Sequence, residues 1–356
     1  MAYIAFKPTD YFNPKLFSGT AAAQSITGVG FQPTFVWGKS SVSNNHQLLD
    51  AVRGTGNPLE SDTSDIQASD PGSSLSSFDA DGFTLAGGSA FNPSGTDNVI
   101  CYNWKLGTTS GITTNASSTI TPSAYSFNAT AKQSIIAYTG NSTTGAGVPH
   151  GLGVKPDCII IKPRNLAGQA WLVYHKDNGT NNVAETAPED YYMQIDSTSG
   201  LTDAAWFMND TAPDTTNFYL GVNNNNNNAY NYVAYCFQNI KGYFRAGRYM
   251  GNNNANGPTI YTGFKPSMII IKKRNDSGAW YLYDIHRAGY NQVNDELYVN
   301  TNAAQGTGNV GIDLYGNGFK ILTADGALNA SESKYLYMAW GANPIVGSGG
   351  VPGLAR

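Results

Sequence analysis

An all-β fold, built from three repeated β-sandwich-like modules with antiparallel sheets and little helix, is what the sequence predicts. Three observations predict it. One phrase of Gly, Pro, an apolar run and a terminal Lys occurs three times along the 356 residues. The apolar runs are short and separated by turn signals, and none has helical spacing over three turns. Charged residues are only 13% of the chain while Gly numbers 40 and Tyr 22, unlike a helical bundle or coiled coil.

The elements of the module follow in order. It opens on Lys15-Leu-Phe-Ser-Gly19, Ile136-Ala-Tyr-Thr-Gly140 and Gly247-Arg-Tyr-Met-Gly251. Next come Gly30-Phe-Gln-Pro33, Gly153-Val-Lys-Pro156 and Gly263-Phe-Lys-Pro266. Gly admits φ > 0 and Pro fixes φ, so this pair sets a turn and forbids a helix. The runs behind it end in Lys39, Lys162 and Lys272 and have the length and β-branching of strands buried on both faces. Lys162-Pro-Arg164 and Lys272-Lys-Arg274 are read as strand ends entering water rather than as phosphate contacts.

A return element follows: His46 to Asp50, Trp171 to His175, and Trp280 to Asp284. His175 stands where the other copies have Asp50 and Asp284, and is read as a tolerant polar surface position. A Gly-Phe step comes next (Gly82-Phe83, Gly318-Phe319), replaced in the second copy by Trp206-Phe207. Each copy closes on an aromatic strand: Val99 to Trp104, Tyr232 to Phe237, Tyr335 to Trp340. In the last, Tyr335 and Tyr337 point one way, Leu336 and Met338 the other. The resulting division is residues 1–105 as the first module, 106–132 as a Ser/Thr/Gly-rich linker or loosely packed edge, 133–240 as the second module, and 241–356 as the third with a C-terminal tail. The linker predicts that the first module sits more independently than the other two, which should form a rigid pair.

The chemistry predicted is sparse. A net charge of −4 offers no footprint for nucleic acid. No run approaches a membrane span, and no signal peptide is visible. Three cysteines, Cys101, Cys158 and Cys236, lie in apolar runs without CxxC spacing and read as buried thiols made in a reducing cytoplasm. His46, His150, His175 and His286 form no metal-ligand spacing, so neither a metal site nor a cofactor is predicted. Asp79 and Asp81 suit a turn better than a calcium loop. Glu60 with Asp62, or Glu185 with Glu189 and Asp190, would have to face one another across a cleft to serve a glycosidase. No catalytic residue is assigned. The predicted binding surface is the Tyr/Asn/Gly loops, with Tyr191, Tyr192, Asn226, Tyr230 and Asn253 as contact residues. Rigid Tyr supplies area there, and Asn and Gly supply adaptable hydrogen bonds. The same Tyr-rich faces would also suit subunit contacts.

Ile26-Thr-Gly-Val-Gly-Phe-Gln-Pro33-Thr-Phe-Val-Trp37, Leu49-Asp-Ala-Val-Arg-Gly54, Phe78 to Leu85, Asn92-Pro-Ser-Gly95 leading to Tyr102-Asn-Trp104, and the ending Asn343-Pro-Ile-Val through Arg356 resemble repeats in virion proteins of tailed bacteriophages. The likeness is strongest to those of podophages of abundant marine bacteria. It covers nearly the whole chain, with the second module departing most. It implies a tail-fibre-like structural protein without catalytic residues, made in the host cytoplasm and carried on the virion. Implied partners are other virion proteins, further copies of the chain (a trimer by analogy) and a host-surface glycan or protein. A head decoration protein is the main alternative, and a surface polysaccharide depolymerase is the enzymatic one. Ala2 to Phe6 reads as the first strand of its module, or as a docking strand.

Overall fold

The protein is all-β, with several antiparallel sheets and three single-turn α-helices, Ala205–Met208, Ile285–Ala288 and Gly326–Asn329, among the described residues. It was analysed as a computed structural model that describes residues 7–69, 74–88, 90–95, 97–179, 187–343, 345–346 and 352–353. The readings of Ala2 to Phe6, of Glu185 and of most of the C-terminal tail therefore lie outside the described residues.

Each module builds the same four-stranded inner sheet. Its opening strands are Lys15–Ser18, Gln133–Thr139 and Phe244–Met250. The central strands, which carry the apolar runs, are Phe35–Ser40, Cys158–Pro163 and Pro266–Lys273. The return strands are Gln47–Asp50, Leu172–His175 and Trp280–Asp284, and the closing strands Asn98–Trp104, Asn231–Phe237 and Lys334–Gly341. The spatial order is opening, closing, central, return in all three. A smaller outer layer faces each inner sheet. In the first module it is Gln24–Thr27, Gly82–Leu85 and Leu75–Asp79; in the second, Ala146–Pro149 and Asn217–Leu220. In the third, Val293–Tyr298, Gly306–Tyr315, Gly318–Ile321 and Thr259–Tyr261 continue the inner sheet into eight strands that curl nearly into a barrel.

Side chains alternate across each inner sheet, so both faces are buried. Tyr335, Tyr337 and Ala339 pack into the third module's own core, and Leu336, Met338 and Trp340 into a core shared by all three modules. The second module divides in the same way. Tyr232, Ala234 and Cys236 face its private core, while Val233, Tyr235 and Phe237 face the shared one. At the centre, the last aromatic residues of the closing strands meet: Trp104 and Trp340 at 5.6 Å, Phe237 and Trp340 at 5.5 Å, Trp104 and Phe237 at 6.5 Å. Phe12, fully buried, covers this trio from the N-terminal segment. A cavity lined by Trp37, Trp104, Trp171 and Trp340 has about 10 Å³, at the lower limit of the ~10–15 Å³ one water requires. The three modules thus surround a pseudo-threefold axis filled with protein.

This arrangement corrects the expectation of an independent first module, whose inner face belongs to the shared core as fully as the others. The ring also closes. Thr9 N donates to Asn343 Oδ1 at 3.2 Å, and Asn343 Nδ2 to Thr9 Oγ1 at 2.7 Å. Segment 106–132 also contributes structure beyond a connection. Ala124–Asn128 pairs with Gln133–Thr139 as an edge strand of the second sheet, and Thr108 pairs in turn with Phe127.

The basic spots are corrected more sharply. Lys39, Lys162 and Lys272 are at most 1% exposed. Lys39 Nζ donates to the carbonyls of Ser40 and Val42, Lys162 to Gln169 O, and Lys272 to Thr198 O and Gly278 O. Lys162 and Lys272 also lie 5.8 and 6.0 Å from the ring centres of Trp171 and Trp280. Burial lowers the pKa of all three lysines to about 8. The loop that follows each strand folds back over its end, so Lys39 and Lys162 meet carbonyls of their own module before they meet water, and Lys272 meets one of its own and one of the second module.

Candidate functional site

The polar residues that the repeats share are concentrated in the seams between modules. In the first set, a ring nitrogen from each return element reaches a carbonyl of a neighbour. His46 Nε2 contacts Tyr298 O at 3.0 Å, Trp171 Nε1 donates to Glu60 O at 2.8 Å, and Trp280 Nε1 donates to Gln194 O at 2.8 Å. The backbone N–H of each of these residues is taken by Asp62, Asp196 or Asn300. Burial, outweighing these hydrogen bonds and the nearby lysines, pushes Asp62 and Asp196 up to about 6.

The second set lies at the other end of the return strands. Tyr235 Oη donates to Asp50 Oδ2 at 2.8 Å, and Arg53 Nε holds the same oxygen at 2.6 Å. Tyr102 Oη, Asp284 Oδ2 and Arg287 Nε repeat this at 2.8 and 2.6 Å. Burial pushes Asp284 up, but the Arg287 guanidinium and its hydrogen bonds outweigh it and hold the carboxyl below its usual value. In the remaining seam His175 Nε2 reaches Tyr337 O at 3.2 Å, Asn178 replaces the Arg, and Met338 replaces the Tyr. His175 is 1% exposed and Asp50 and Asp284 fully buried, so this position is an inter-module contact; its reading as tolerant surface is corrected.

All four histidines are fixed structurally. Nδ1 of His46, His150 and His175 accepts an N–H from Trp37, Leu152 and Asp177, so the proton sits on Nε2, which donates to a carbonyl. Burial lowers His46 to about 3 and His150 and His175 to about 4. His286 contacts Ser267 Oγ at 3.0 Å and is lowered too, by burial. The acids are similarly committed. Asp79 accepts from Ser77 and Thr84, and Asp81 from the N–H groups of Gly28 and Gly30, so all four oxygens hold protein donors. Glu60 accepts from Asn45 and Gln47. Glu189 and Asp190 lie in the 3-10 turn Pro188–Asp190. No group of three or more His, Cys, Asp or Glu that could hold a metal occurs among the described residues.

The five predicted contact residues do not form one surface. Tyr191 and Tyr192, read as a loop, form the strand Tyr191–Gln194, and Tyr192 packs 5.0 Å from Trp206 and 5.5 Å from Phe207. Tyr230 is 36% exposed at a loop tip, and Asn253 is exposed in the third module. Asn226 is fully buried, which corrects its assignment as a surface contact. It accepts from Asn141 N and donates to the carbonyls of Thr143 and Gly221. Asn92 and Asn329 do the same, accepting from Thr20 N and Asn252 N and donating to Ala22 and Ala86, and to Asn254 and Thr323. The residues before these N–H groups are Gly19, Gly140 and Gly251, where a Cβ would lie 2.4, 2.2 and 2.1 Å from a carbonyl oxygen. The asparagine run thus carries a triplicated bracket, disguised by its neighbours.

A concavity with room for a ligand lies between the first and second modules and has a volume of about 700 Å³. One wall is Gln32, Pro33, Thr34, Ala51, Val52 and Phe78; the other is Gly107, Thr109 and Ser123 to Ser126. Tyr125 is the sole ionisable side chain among its described lining residues. Gln32, Pro33 and Phe78 stand in the repeat phrases, yet none of the lining residues was predicted as a contact residue; the uncharged Ser/Thr-rich stretch before Lys132 was the available signal.

The family model described as "Domain of unknown function (DUF7483)" matches residues 7–344. The chain belongs to that family. The match spans all three modules, so the ring as a whole is the family's unit. No curated protein and no solved structure matches the chain.

Proposed function

We propose that the protein is a non-catalytic structural component of a bacteriophage particle, a tail-associated fibre or adhesin that touches the host surface. The observation that carries this reading is the commitment of the polar groups. His46, His175, Asp50, Asp284 and the three strand-end lysines hold modules or strand ends together, and the large groove is lined without charge. A general base needs a titratable group within reach of substrate and a pKa near the working pH, whereas imidazoles held at about 3 to 4 inside a core suit a scaffold. The phage assignment itself rests on the resemblance of the repeat phrases. Further copies of the chain and other virion proteins are the proposed partners.

Immunogold electron microscopy of intact particles tests the reading, with label expected on the tail. Label over the capsid lattice would replace the adhesin with a head decoration protein. Incubation of the purified protein with host envelope polysaccharide is expected to leave the chain-length distribution unchanged. Cleavage would overturn the non-catalytic assignment.

A further inference from the structure

We propose that the groove between the first and second modules binds a neutral carbohydrate segment. The proposal rests on the adhesin reading and names the ligand class of that surface. A volume of about 700 Å³ falls within the ~300–1,000 Å³ typical of small-ligand sites, enough for a short oligosaccharide. Two half-buried aromatic residues, Phe78 and Tyr125, come from opposite walls. Sugar rings pack their C–H faces on such surfaces, while their hydroxyls require donors and acceptors at fixed places.

The groove offers both. Gln32 Nε2 is committed to Phe78 O at 2.7 Å, which orients the amide oxygen as the remaining acceptor. Thr34 Oγ1 accepts from Leu106 N at 3.1 Å, leaving its proton to donate. Ser123 Oγ donates to Ala137 O at 3.2 Å, leaving lone pairs to accept. Thr109 adds an exposed hydroxyl at the rim.

Competing ligand classes fit less well. An anionic ligand finds no counter-charge, because Arg53, next to Val52, points inward to Asp50 and Tyr235. A peptide adding as a strand would need the open edge of Ala124–Asn128. At its C-terminal half that edge is already engaged, which leaves too short a run for strand addition: Thr108 N donates to Phe127 O at 3.0 Å and Phe127 N to Thr108 O at 2.9 Å, while Gly107 N holds Ser126 Oγ at 3.0 Å. The groove has no counterpart where the third and first modules meet. At the corresponding place between the third and first modules, the helical turn Ile285–Ala288 lies against Lys15–Ser18.

Affinity electrophoresis of the full chain through gels containing dextran, yeast mannan, soluble starch or galactomannan, with alginate as the anionic comparison, tests the proposal. At least one neutral polymer is expected to retard the protein, and alginate is not. Gln32→Ala and Thr109→Trp, both at exposed positions, should each weaken the apparent affinity at least tenfold without shifting the thermal midpoint. No retardation by any neutral polymer, retardation by alginate alone, or retardation unchanged in both variants would overturn it. Particle labelling is read separately. Tail label without glycan binding removes the groove and leaves the adhesin, while capsid label with glycan binding does the reverse.

Discussion

Two seams of the ring carry an Asp–Arg–Tyr lock and the third does not. Asp50 and Arg53 of the first module hold Tyr235 of the second, and Asp284 and Arg287 of the third hold Tyr102 of the first. Between the second and third modules stand His175, Asn178 and Met338, with Cys158 Sγ 3.3 Å from Met338 Sδ. Asn178 Nδ2 still reaches Val173 O, as Arg53 reaches Leu48 O and Arg287 reaches Leu282 O. The acid, the Arg and the phenol therefore come and go together across a seam, although the phenol lies 185 or 182 residues from the acid and on a different module. A departure from a repeat pattern is informative only once it is known which other copy faces it.

Removing one member of a lock should have the largest effect. Asp50→Ala or Asp284→Ala leaves a guanidinium buried without its partner and should cost ~3–5 kcal/mol, measured by denaturant unfolding. His175→Ala should cost less, ~1–3 kcal/mol, since it strands only a carbonyl and an N–H. Equal losses at all three positions would erase the distinction between seams. Asn92→Ala, Asn226→Ala and Asn329→Ala probe a feature that all modules share, and each should lose ~1–3 kcal/mol. Met338→Tyr alone should overpack its seam by ~1–3 kcal/mol. Adding His175→Asp and Asn178→Arg should restore most of that loss by building a third lock, and a triple variant no better than the single one would break the analogy.

The smallest effect is that of pH. Below about 6.5 the unfolded chain takes up protons on His46, His150 and His175 that the folded rings refuse until about 3 to 4. Stability contributed by these neutral rings is therefore lost as pH falls through that window. Asp62 and Asp196, raised to about 6 in the fold, act in the opposite sense as pH falls through that value. The thermal midpoint should still drop by a few degrees between pH 7 and pH 6, because the three histidines outweigh the two carboxyls in that interval. His175→Gln should flatten that drop.

Much of this frame is legible in one dimension. The apolar runs, the Gly–Pro turns and the alternation in Tyr335 to Trp340 report local periodicity, and the inner sheets follow them. The cyclic closure is not legible, because a strand buried on both faces reads the same whether its second partner is its own outer layer or a neighbouring module. Lys162 and Asn226 were misplaced for a different reason: the carbonyls that hold them come from loops of their own module, which no local pattern announces. Gly38 shows the limit at one residue. It stands where the other runs have Ile161 and Ile271, and a Cβ there would lie 1.7 Å from the ring of Phe91, which fills the space instead. The groove was hidden because its two walls are separated in sequence, and the Gly–Pro phrase in one of them reports a turn rather than a site.

Joining the three modules in one chain changes what mutation can do. In an assembly of three identical subunits, any substitution at a contact appears at every contact at once, so each interface must tolerate it. Covalent linkage removes that constraint: one junction can be rebuilt, or opened into a crevice, while the other two keep the ring closed. The departure at His175 and Met338 and the added edge strand at Ala124–Asn128 are both of this kind. A repeated architecture of this sort can keep its ring closed while its junctions diverge one by one.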